Sequence, residues 1–168
     1  MREAILADAE AIATVHVRSW QAAYRGQLPD EYLDGLTVED RLSQHQWALE
    51  HPRQDWRVWV ADEGGSVLGF AVTGPSEDAD ADPGTAELYA IYLEPGSFGT
   101  GVGRRLFAHA VGDVRERGFR TATLWVLESN GQARRFYEVA GWKLDGATTT
   151  ERIDCLNYPT VRYRTDLG

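Results

Sequence analysis

Apolar residues near the start of the chain recur at the spacing of an α-helix. Ile12, Val15 and Ala22 fall on one helical face. Asp8 precedes this run and has the side chain of an N-cap residue. We therefore expect a first helix from Asp8 to about Tyr24.

A second helix is predicted after a loop that contains Gly26 and Pro29. Thr37 is followed three residues later by an acid, a pattern typical of a helix N-terminus. We expect this helix to continue to about residue 50, because Pro52 then interrupts the pattern.

From position 56 the apolar period changes from helical spacing to alternation. Residues 56–61 and 67–73 alternate as strands do, and an Asp-Glu-Gly-Gly-Ser turn separates them, which predicts a β-hairpin. Residues 74–84 are acidic. We interpret them as a solvated connection, with attraction of a cationic substrate as the alternative.

The second half of the chain alternates strands with helices. The apolar pattern predicts strands at residues 85–93 and 121–127 and an amphipathic helix at 102–117. Gly118 is expected to end this helix at its C′ position. Ser129 and Gln132 form a capping-box pattern for a short helix that ends at Gly141. The last predicted strands are residues 142–146 and 157–165. This order predicts one α/β domain over residues 1–168.

Composition narrows the functional classes. The net charge of −9 argues against a nucleic-acid partner and is compatible with a cationic small substrate. A single cysteine and four histidines without ligand spacing give no reason to expect a metal site. The first residues lack the apolar core of a signal peptide, and no apolar run is long enough to span a membrane, so we expect a cytoplasmic protein without a membrane partner.

Glycines are concentrated between the strand at 85–93 and the helix at 102–117. Gly99, Gly101 and Gly103 occupy alternate positions, and Arg104 and Arg105 follow. A helix N-terminus offers free N–H groups and partial positive charge, and glycines let a phosphate approach the backbone. A tight turn would need only one or two glycines, so we expect a phosphate site.

Two common phosphate-binding motifs fit this loop poorly. The dinucleotide fingerprint requires glycine at position 104, where the chain has arginine, and the Gly-Lys-Ser/Thr of a P-loop is absent. Glu128 lies about 25 residues downstream, where a ribose-binding acid could stand. The hypothesis of a nucleotide-binding oxidoreductase is thus weakened but not excluded. The main argument against it is that two helices and a hairpin precede the loop.

Residues 98–103, Phe-Gly-Thr-Gly-Val-Gly, resemble the acetyl-CoA-binding signature Gln/Arg-x-x-Gly-x-Gly/Ala of the GNAT superfamily of N-acetyltransferases. Phe98 departs from the signature at its first position. Residues 130–142, Asn-Gly-Gln-Ala-Arg-Arg-Phe-Tyr-Glu-Val-Ala-Gly-Trp, are similar to that family's Asn-x-x-Ala-x-x-Phe-Tyr-x-x-x-Gly-Phe pattern. The Glu-Leu-Tyr-Ala-Ile-Tyr-Leu-Glu-Pro strand before the loop and the order of elements agree with the resemblance.

The resemblance implies a fold and a co-substrate. The fold is a single-domain α/β GNAT-like fold, with a central mixed, mostly antiparallel sheet that contains splayed parallel strands and is flanked by helices. The co-substrate is acetyl-CoA, with no metal. Its pantetheine arm would lie along Ile91, Tyr92 and Leu93. Asn130 would contact the coenzyme, or would only cap a helix. The pyrophosphate would lie on residues of the glycine loop, namely Gly99, Thr100, Gly101, Val102, Gly103 and Arg104.

The resemblance also implies catalytic roles. Tyr137 would protonate the coenzyme A thiolate, unless it is an ordinary core aromatic residue. Glu87 would accept the proton of the amine, unless it is merely solvated or the amine arrives neutral. The acceptor pocket would include Trp20, Tyr24 and Tyr89, although Trp20 could equally pack the first helix on the sheet.

Three functions remain open from the sequence. The leading hypothesis is an N-acetyltransferase that acts on the primary amine of a small molecule by direct attack in a ternary complex. The alternatives are a nucleotide-binding oxidoreductase and a non-catalytic acyl-CoA-binding module. The sequence does not name the acceptor, and a homodimer is compatible with it because dimers are frequent among similar proteins.

Overall fold

A seven-stranded sheet forms the centre of the computed structural model, which describes all 168 residues. The strand order is β1-β2-β3-β4-β5-β7-β6, and every neighbouring pair is antiparallel except β4 and β5. The strands are β1 (Arg2–Glu3), β2 (Arg57–Glu63), β3 (Ser66–Pro75), β4 (Thr85–Leu93), β5 (Thr121–Leu127), β6 (Lys143–Ile153) and β7 (Leu156–Asp166). The expected mixed, mostly antiparallel sheet is confirmed.

Helices cover both faces of the sheet. Phe70 and Ala71 are neighbours on β3 and therefore point to opposite faces, and each belongs to a different apolar cluster. The helices are α1 (Ala9–Ala23), α2 (Asp30–Asp34), α3 (Val38–Glu50), α4 (Val102–Glu116) and α5 (Gly131–Val139). The cluster of Ala71 includes Leu106 of α4, and the cluster of Phe70 includes Ile12 of α1.

The two parallel strands part soon after they meet. β4 and β5 pair only over three residues, from Thr85 opposite Thr121 to Glu87 opposite Thr123. Beyond this point β5 continues to pair with β7, on its other side. Without a ladder between them, β4 and β5 leave an opening in the middle of the sheet.

A β-bulge on β4 changes which of its side chains point to each face of the sheet. Leu88 is opposite Thr73 and Ala90 is opposite Val72, so Tyr89 has no partner on β3. After the bulge, Ile91 packs towards α4, whereas Ala90 packs towards α1. The bulge therefore resets the alternation at the point where the sheet opens.

The helix starts were predicted with mixed success. Asp8 occupies the N-cap position of α1, as expected, but its side chain does not cap the helix. Its carboxylate instead accepts hydrogen bonds from Arg2 at 2.7 and 2.8 Å and from the amide of Ile5 at 2.8 Å. Thr37 caps α3 as expected, accepting from the amide of Asp40 at 3.3 Å. Helix α2 was not predicted, because the sequence suggested only a loop there.

The C-terminal boundaries also differ from the prediction. Asn130, not Ser129, caps α5, with its Oδ1 accepting from the amide of Ala133 at 3.0 Å. The strands expected at 142–146 and 157–165 are parts of the longer β6 and β7, which form a hairpin of eleven residues a side. Gly118 ends α4 with a φ of 89°, as its C′ position predicts.

The acidic segment 74–84 is mostly exposed or half-buried, as expected of a solvated connection, but two of its carboxylates are fixed to the sheet. Arg162 on β7 is only 7% exposed and donates to Asp78 at 2.9 Å and to Asp80 at 2.7 Å. The same guanidinium donates to Asp145 of β6 at 2.7 Å. One buried arginine thus connects the acidic segment to the β6–β7 hairpin.

We expect Arg162→Met to destabilise the protein by roughly 3 kcal/mol, since breaking a buried charge pair leaves unpaired carboxylates. This loss of stability counts only the ion pairs of Arg162 with Asp78 and Asp145, whose side chains are 19% and 14% exposed. The matched control is Arg25→Met, whose salt bridges to Asp30 and Asp34 are exposed and which should cost little. Urea unfolding at pH 7 measures both, and equal losses would show that Arg162 has no special role.

Candidate active site

A slot opens where β4 and β5 separate. Its volume is about 300 Å³, and residues of α1, β4, β5 and α5 line it. Ile91, Tyr92 and Leu93 of β4 are all in its wall, as are Tyr24 and Tyr137. The sheet opening thus brings together the predicted pantetheine strand and the predicted acid.

The glycine loop leaves open space at the start of α4. Gly99 and Gly101 have φ values of 75° and 86°, which side-chain-bearing residues rarely adopt. A Cβ at Gly99 would meet no atom within 4 Å, and one at Gly101 only Arg105 at 3.7 Å. Gly103 differs, because its Cβ would lie 2.7 Å from Leu93 Cδ1, so that glycine allows α4 to pack on β4.

This loop meets the requirements of a phosphate site. The amides of Gly101, Val102, Gly103 and Arg104 have no backbone acceptor, as is usual in the first turn of a helix. The loop borders a cleft of about 860 Å³ between α4 and α5, which Arg104 also lines. The residues present therefore fit a pyrophosphate group. Thr100 instead uses its hydroxyl to bond Ser97 O at 2.7 Å.

The α4–α5 cleft and the slot share part of their walls. Five residues line both, namely Leu93, Phe98, Gly103, Gln132 and Phe136. Phe98, which departs from the expected signature, thus lies where the two spaces adjoin. Asn130 lines the slot as well as capping α5.

Tyr137 carries its phenol into the slot. The side chain is 8% exposed and packs against Phe107 of α4. Burial, with a smaller contribution from Tyr24, raises the pKa of the phenol above its usual value of 10. Tyr137 is therefore protonated at neutral pH and can act as a proton donor.

Glu87 lies at the last paired position before β4 and β5 separate. It is 7% exposed and accepts a hydrogen bond from Ser76 at 3.3 Å. Burial, and next the charge of Asp78, raise the pKa of its carboxyl to about 7. Glu87 does not line the slot, so the structure places this predicted base beside the opening rather than inside it.

A second cavity, the aromatic cavity, lies on the opposite face of the sheet from α4. Its volume is about 810 Å³, and α1, α3, the sheet and the β6–β7 hairpin enclose it. Trp20 and Tyr89, two of the predicted acceptor residues, line both this cavity and the slot, whereas Tyr24 lines only the slot. Tyr89 is fixed by stacking on Trp56 and by donating to Pro75 O at 2.7 Å.

The sequence interpretation missed a histidine pair in the aromatic cavity. His16 Nδ1 and His45 Nε2 are 3.1 Å apart, and the His16 ring stacks on Tyr92. Burial, with the nearby charge of Arg41, lowers the pKa of His16 to about 3 and of His45 to about 4, so both are neutral at pH 7. No spacing rule would have found this pair, because the histidines come from different helices.

Comparison with known proteins decides the family. The profile of the acetyltransferase (GNAT) family matches residues 17–142, which include β4, the glycine loop and α5. The chain belongs to the GNAT acetyltransferase family. It is therefore an acyltransferase, and the oxidoreductase alternative no longer applies.

Individual relatives agree with this assignment. An uncharacterized N-acetyltransferase of Bacillus subtilis is 40% identical over 133 residues, 77% of this chain and 72% of that protein. Two solved structures share the GNAT fold. An N-acetyltransferase from Staphylococcus aureus has a TM-score of 0.74 at 22% identity, covering 99% of this chain and 97% of that one. An N-acetyltransferase from Thermoplasma acidophilum, in complex with coenzyme A, has a TM-score of 0.74 at 21% identity, covering 98% of this chain and 96% of that one. None of the helices of this GNAT protein combines the length and apolar character of a membrane span.

Proposed function

We propose that this GNAT acetyltransferase uses acetyl-CoA to acetylate the primary amine of a small molecule, by direct attack in a ternary complex in the cytoplasm. The observation that carries the proposal is the slot, which shares residues with both the α4–α5 cleft and the aromatic cavity. A coenzyme bound on one face of the sheet and an acceptor bound on the other would meet in this opening. The coenzyme A in the Thermoplasma acidophilum structure supports the choice of co-substrate.

The coenzyme would be held mainly by backbone groups. Free amides at the start of α4 would bind the pyrophosphate, and Arg104 would add a full positive charge. Ile91, Tyr92 and Leu93 would lie along the pantetheine arm. When bound, acetyl-CoA supplies an acetyl group activated as a thioester.

Two side chains would handle protons. As the acceptor nitrogen bonds to the carbonyl carbon and the C–S bond breaks, Tyr137 would give its phenolic proton to the departing sulfur. Glu87 would take the proton that the amine loses. Because Glu87 lies outside the slot, this transfer would run through a bridging water.

The proposal is tested by two measurements on the purified protein. Thermal shift with acetyl-CoA, coenzyme A, NAD and NADP should show stabilisation by the first two only. Free-thiol release from acetyl-CoA should then increase when amines are added. Binding of acetyl-CoA without amine-dependent thiol release would contradict the proposal that the acceptor is a small-molecule amine.

We expect Glu87→Gln to remove an acid limb from the pH profile. In the unmodified protein, kcat/KM should fall about tenfold for each pH unit below about 7, as Glu87 becomes protonated. In the variant this limb should be absent, and the rate at pH 8 should be lower by roughly 10²-fold. Both proteins are measured with the same acceptor. A change of kcat/KM with pH that comes from ionisation of the acceptor's amine is therefore present in both profiles. An unchanged profile would exclude Glu87 as the base.

The stability of the same variant gives an independent check. Since the pKa of Glu87 is about 7 in the fold against 4.5 in a free side chain, the folded state keeps this proton to a higher pH. Its ionisation therefore lowers the free energy of unfolding as the pH rises from about 4.5 to 7. The Glu87→Gln variant should melt above the unmodified protein at pH 8 and level with it at about pH 4.

A further inference from the structure

Several charged side chains that line the aromatic cavity have no salt bridge. Arg53 and Glu3 are paired, with Glu77 and Arg57. The unpaired ones are Arg41, Glu151, Arg152 and Asp154. Among them Arg41 of α3 is the one that is half-buried, and Glu151 of β6 is the one that also lines the slot. A free cation and a free anion placed in this way suit a ligand that carries both charges.

Arg41 is positioned over the rings of the cavity. Its guanidinium carbon lies 5.8 Å from the centre of the Trp20 ring, and its only hydrogen bond is a long one of 3.5 Å to Gln44. It is half-buried. Its charge is close enough to His16 and His45 to lower the pKa of each. Most of its donors are therefore free for an oxyanion, which an arginine fork binds well.

Glu151 lies at the other end, where the aromatic cavity joins the slot. It lines both spaces, whereas its neighbours Arg152 and Asp154 line only the aromatic cavity. Its charge acts on Tyr24 and Tyr92, which both line the slot. Its side chain is exposed, so a cationic amine that enters the aromatic cavity can reach its carboxylate.

We propose that the acetyl acceptor is a zwitterion, an amino acid with an apolar or aromatic side chain, whose carboxylate binds Arg41 and whose amine is held by Glu151 at the entrance of the slot. This rests on the proposed acetyl transfer and names its substrate class. The ring side chains around the cavity, including Trp47 and Trp56, provide the contact surface for the acceptor's side chain.

The placement of the charges fits the direction of the reaction. Arg41 lies over Trp20, Glu151 acts on Tyr92, and the centres of these two rings are 6.3 Å apart. Glu151 lines the slot, as Tyr137 does, and would hold the amine on that side. Arg41 does not line the slot, so a carboxylate bound to it would stay outside the space where the acetyl group is transferred.

The test compares matched acceptors in the 168-residue protein. L-phenylalanine, L-leucine and L-methionine are each assayed beside the corresponding amine that lacks the carboxylate, with spermidine as a purely cationic acceptor. Thiol release and calorimetric binding in the presence of coenzyme A are measured in parallel. We expect at least one amino acid to have kcat/KM roughly 10–100-fold above its decarboxylated partner, the effect of a hydrogen bond to a charged group.

Two variants separate the two contacts. Arg41→Gln should raise KM for the amino acid by roughly 10–100-fold, leave kcat near its original value and leave the decarboxylated amine unaffected. Glu151→Gln should raise KM for both acceptors. Arg25→Gln and Glu63→Gln, which change exposed residues away from the cavity, are the matched controls and should change neither.

The results distinguish this inference from the proposed function. Thiol release with spermidine or the decarboxylated amines, but not with the amino acids, would overturn the zwitterion and leave acetyl transfer intact. An Arg41→Gln variant that loses the same factor with both acceptors would also overturn it. Thiol release with none of the acceptors, despite acetyl-CoA binding, would count against both the inference and the proposed function.

Discussion

Replacing Tyr137 by phenylalanine should lower kcat by roughly 10²–10⁴-fold, the span expected for loss of a general acid. The ring remains and keeps its contact with Phe107, so acetyl-CoA affinity should change little. Steady-state kinetics with the best acceptor, together with calorimetric titration of acetyl-CoA, measure both quantities.

The chain offers a matched control for this substitution. Tyr163 is also buried, but its hydroxyl is used structurally, donating to Glu138 at 2.7 Å and accepting from Arg134 at 3.2 Å. Tyr163→Phe should therefore lower stability by about 0.5–1.5 kcal/mol and leave kcat nearly unchanged. Normal turnover by the Tyr137→Phe protein would end the assignment of Tyr137 as the acid.

Replacing Gly101 by glutamate should abolish acetyl-CoA binding in a protein that still folds. A side chain at this position would enter the space at the start of α4, where only Arg105 lies within 4 Å. The added carboxylate would repel the pyrophosphate and compete for the free amides. Calorimetry gives the affinity, and circular dichroism reports whether the fold is retained.

Backbone strain needs its own control, because Gly101 has a φ of 86°. Gly26 has a similar φ of 78°, with no atom within 4 Å of an added Cβ, and it lies far from the loop in sequence. Gly26→Glu should lower the free energy of unfolding by about 1–2 kcal/mol, the same cost of placing a side chain in a left-handed backbone conformation. It should keep full acetyl-CoA affinity. Equal affinity in both variants would contradict the assignment of the loop.

The sequence predicted the elements on either side of the glycine loop well. The bounds of β4 were correct, and the expected start of α4 at Val102 was also correct. These elements are set by local signals, namely a dense apolar run, glycines at a turn, and an amphipathic helix with a C′ glycine. Local signals suffice for elements of this kind.

The acceptor side could not be predicted in the same way. Most of β6 is exposed and polar, including a run of threonines, so its length follows from pairing with β7 and not from its own pattern. The bulge at Tyr89 and the His16–His45 pair depend on contacts between distant segments. Arg41 and Glu151 reach the same cavity only through the tertiary fold.

Part of the prediction was incomplete because the local pattern does not show ion pairs. Asp8 stands at the N-cap position of α1, but the guanidinium of Arg2 forms charge-assisted hydrogen bonds with its carboxylate. The acidic segment is mostly exposed or half-buried, but Arg162 fixes Asp78 and Asp80 to the sheet. Neither contact can be read from the residues next to each acid.

The most direct test of acetyl transfer uses acetyl-CoA with a deuterated acetyl group. The protein is incubated with this co-substrate and the acceptor that releases most thiol, and the acceptor is then examined by tandem mass spectrometry. We predict that the labelled acetyl group is found on the acceptor nitrogen, in an amount equal to the thiol released. Thiol release without a labelled acceptor would contradict the account, since it would mean that water, and not an amine in the slot, receives the acetyl group.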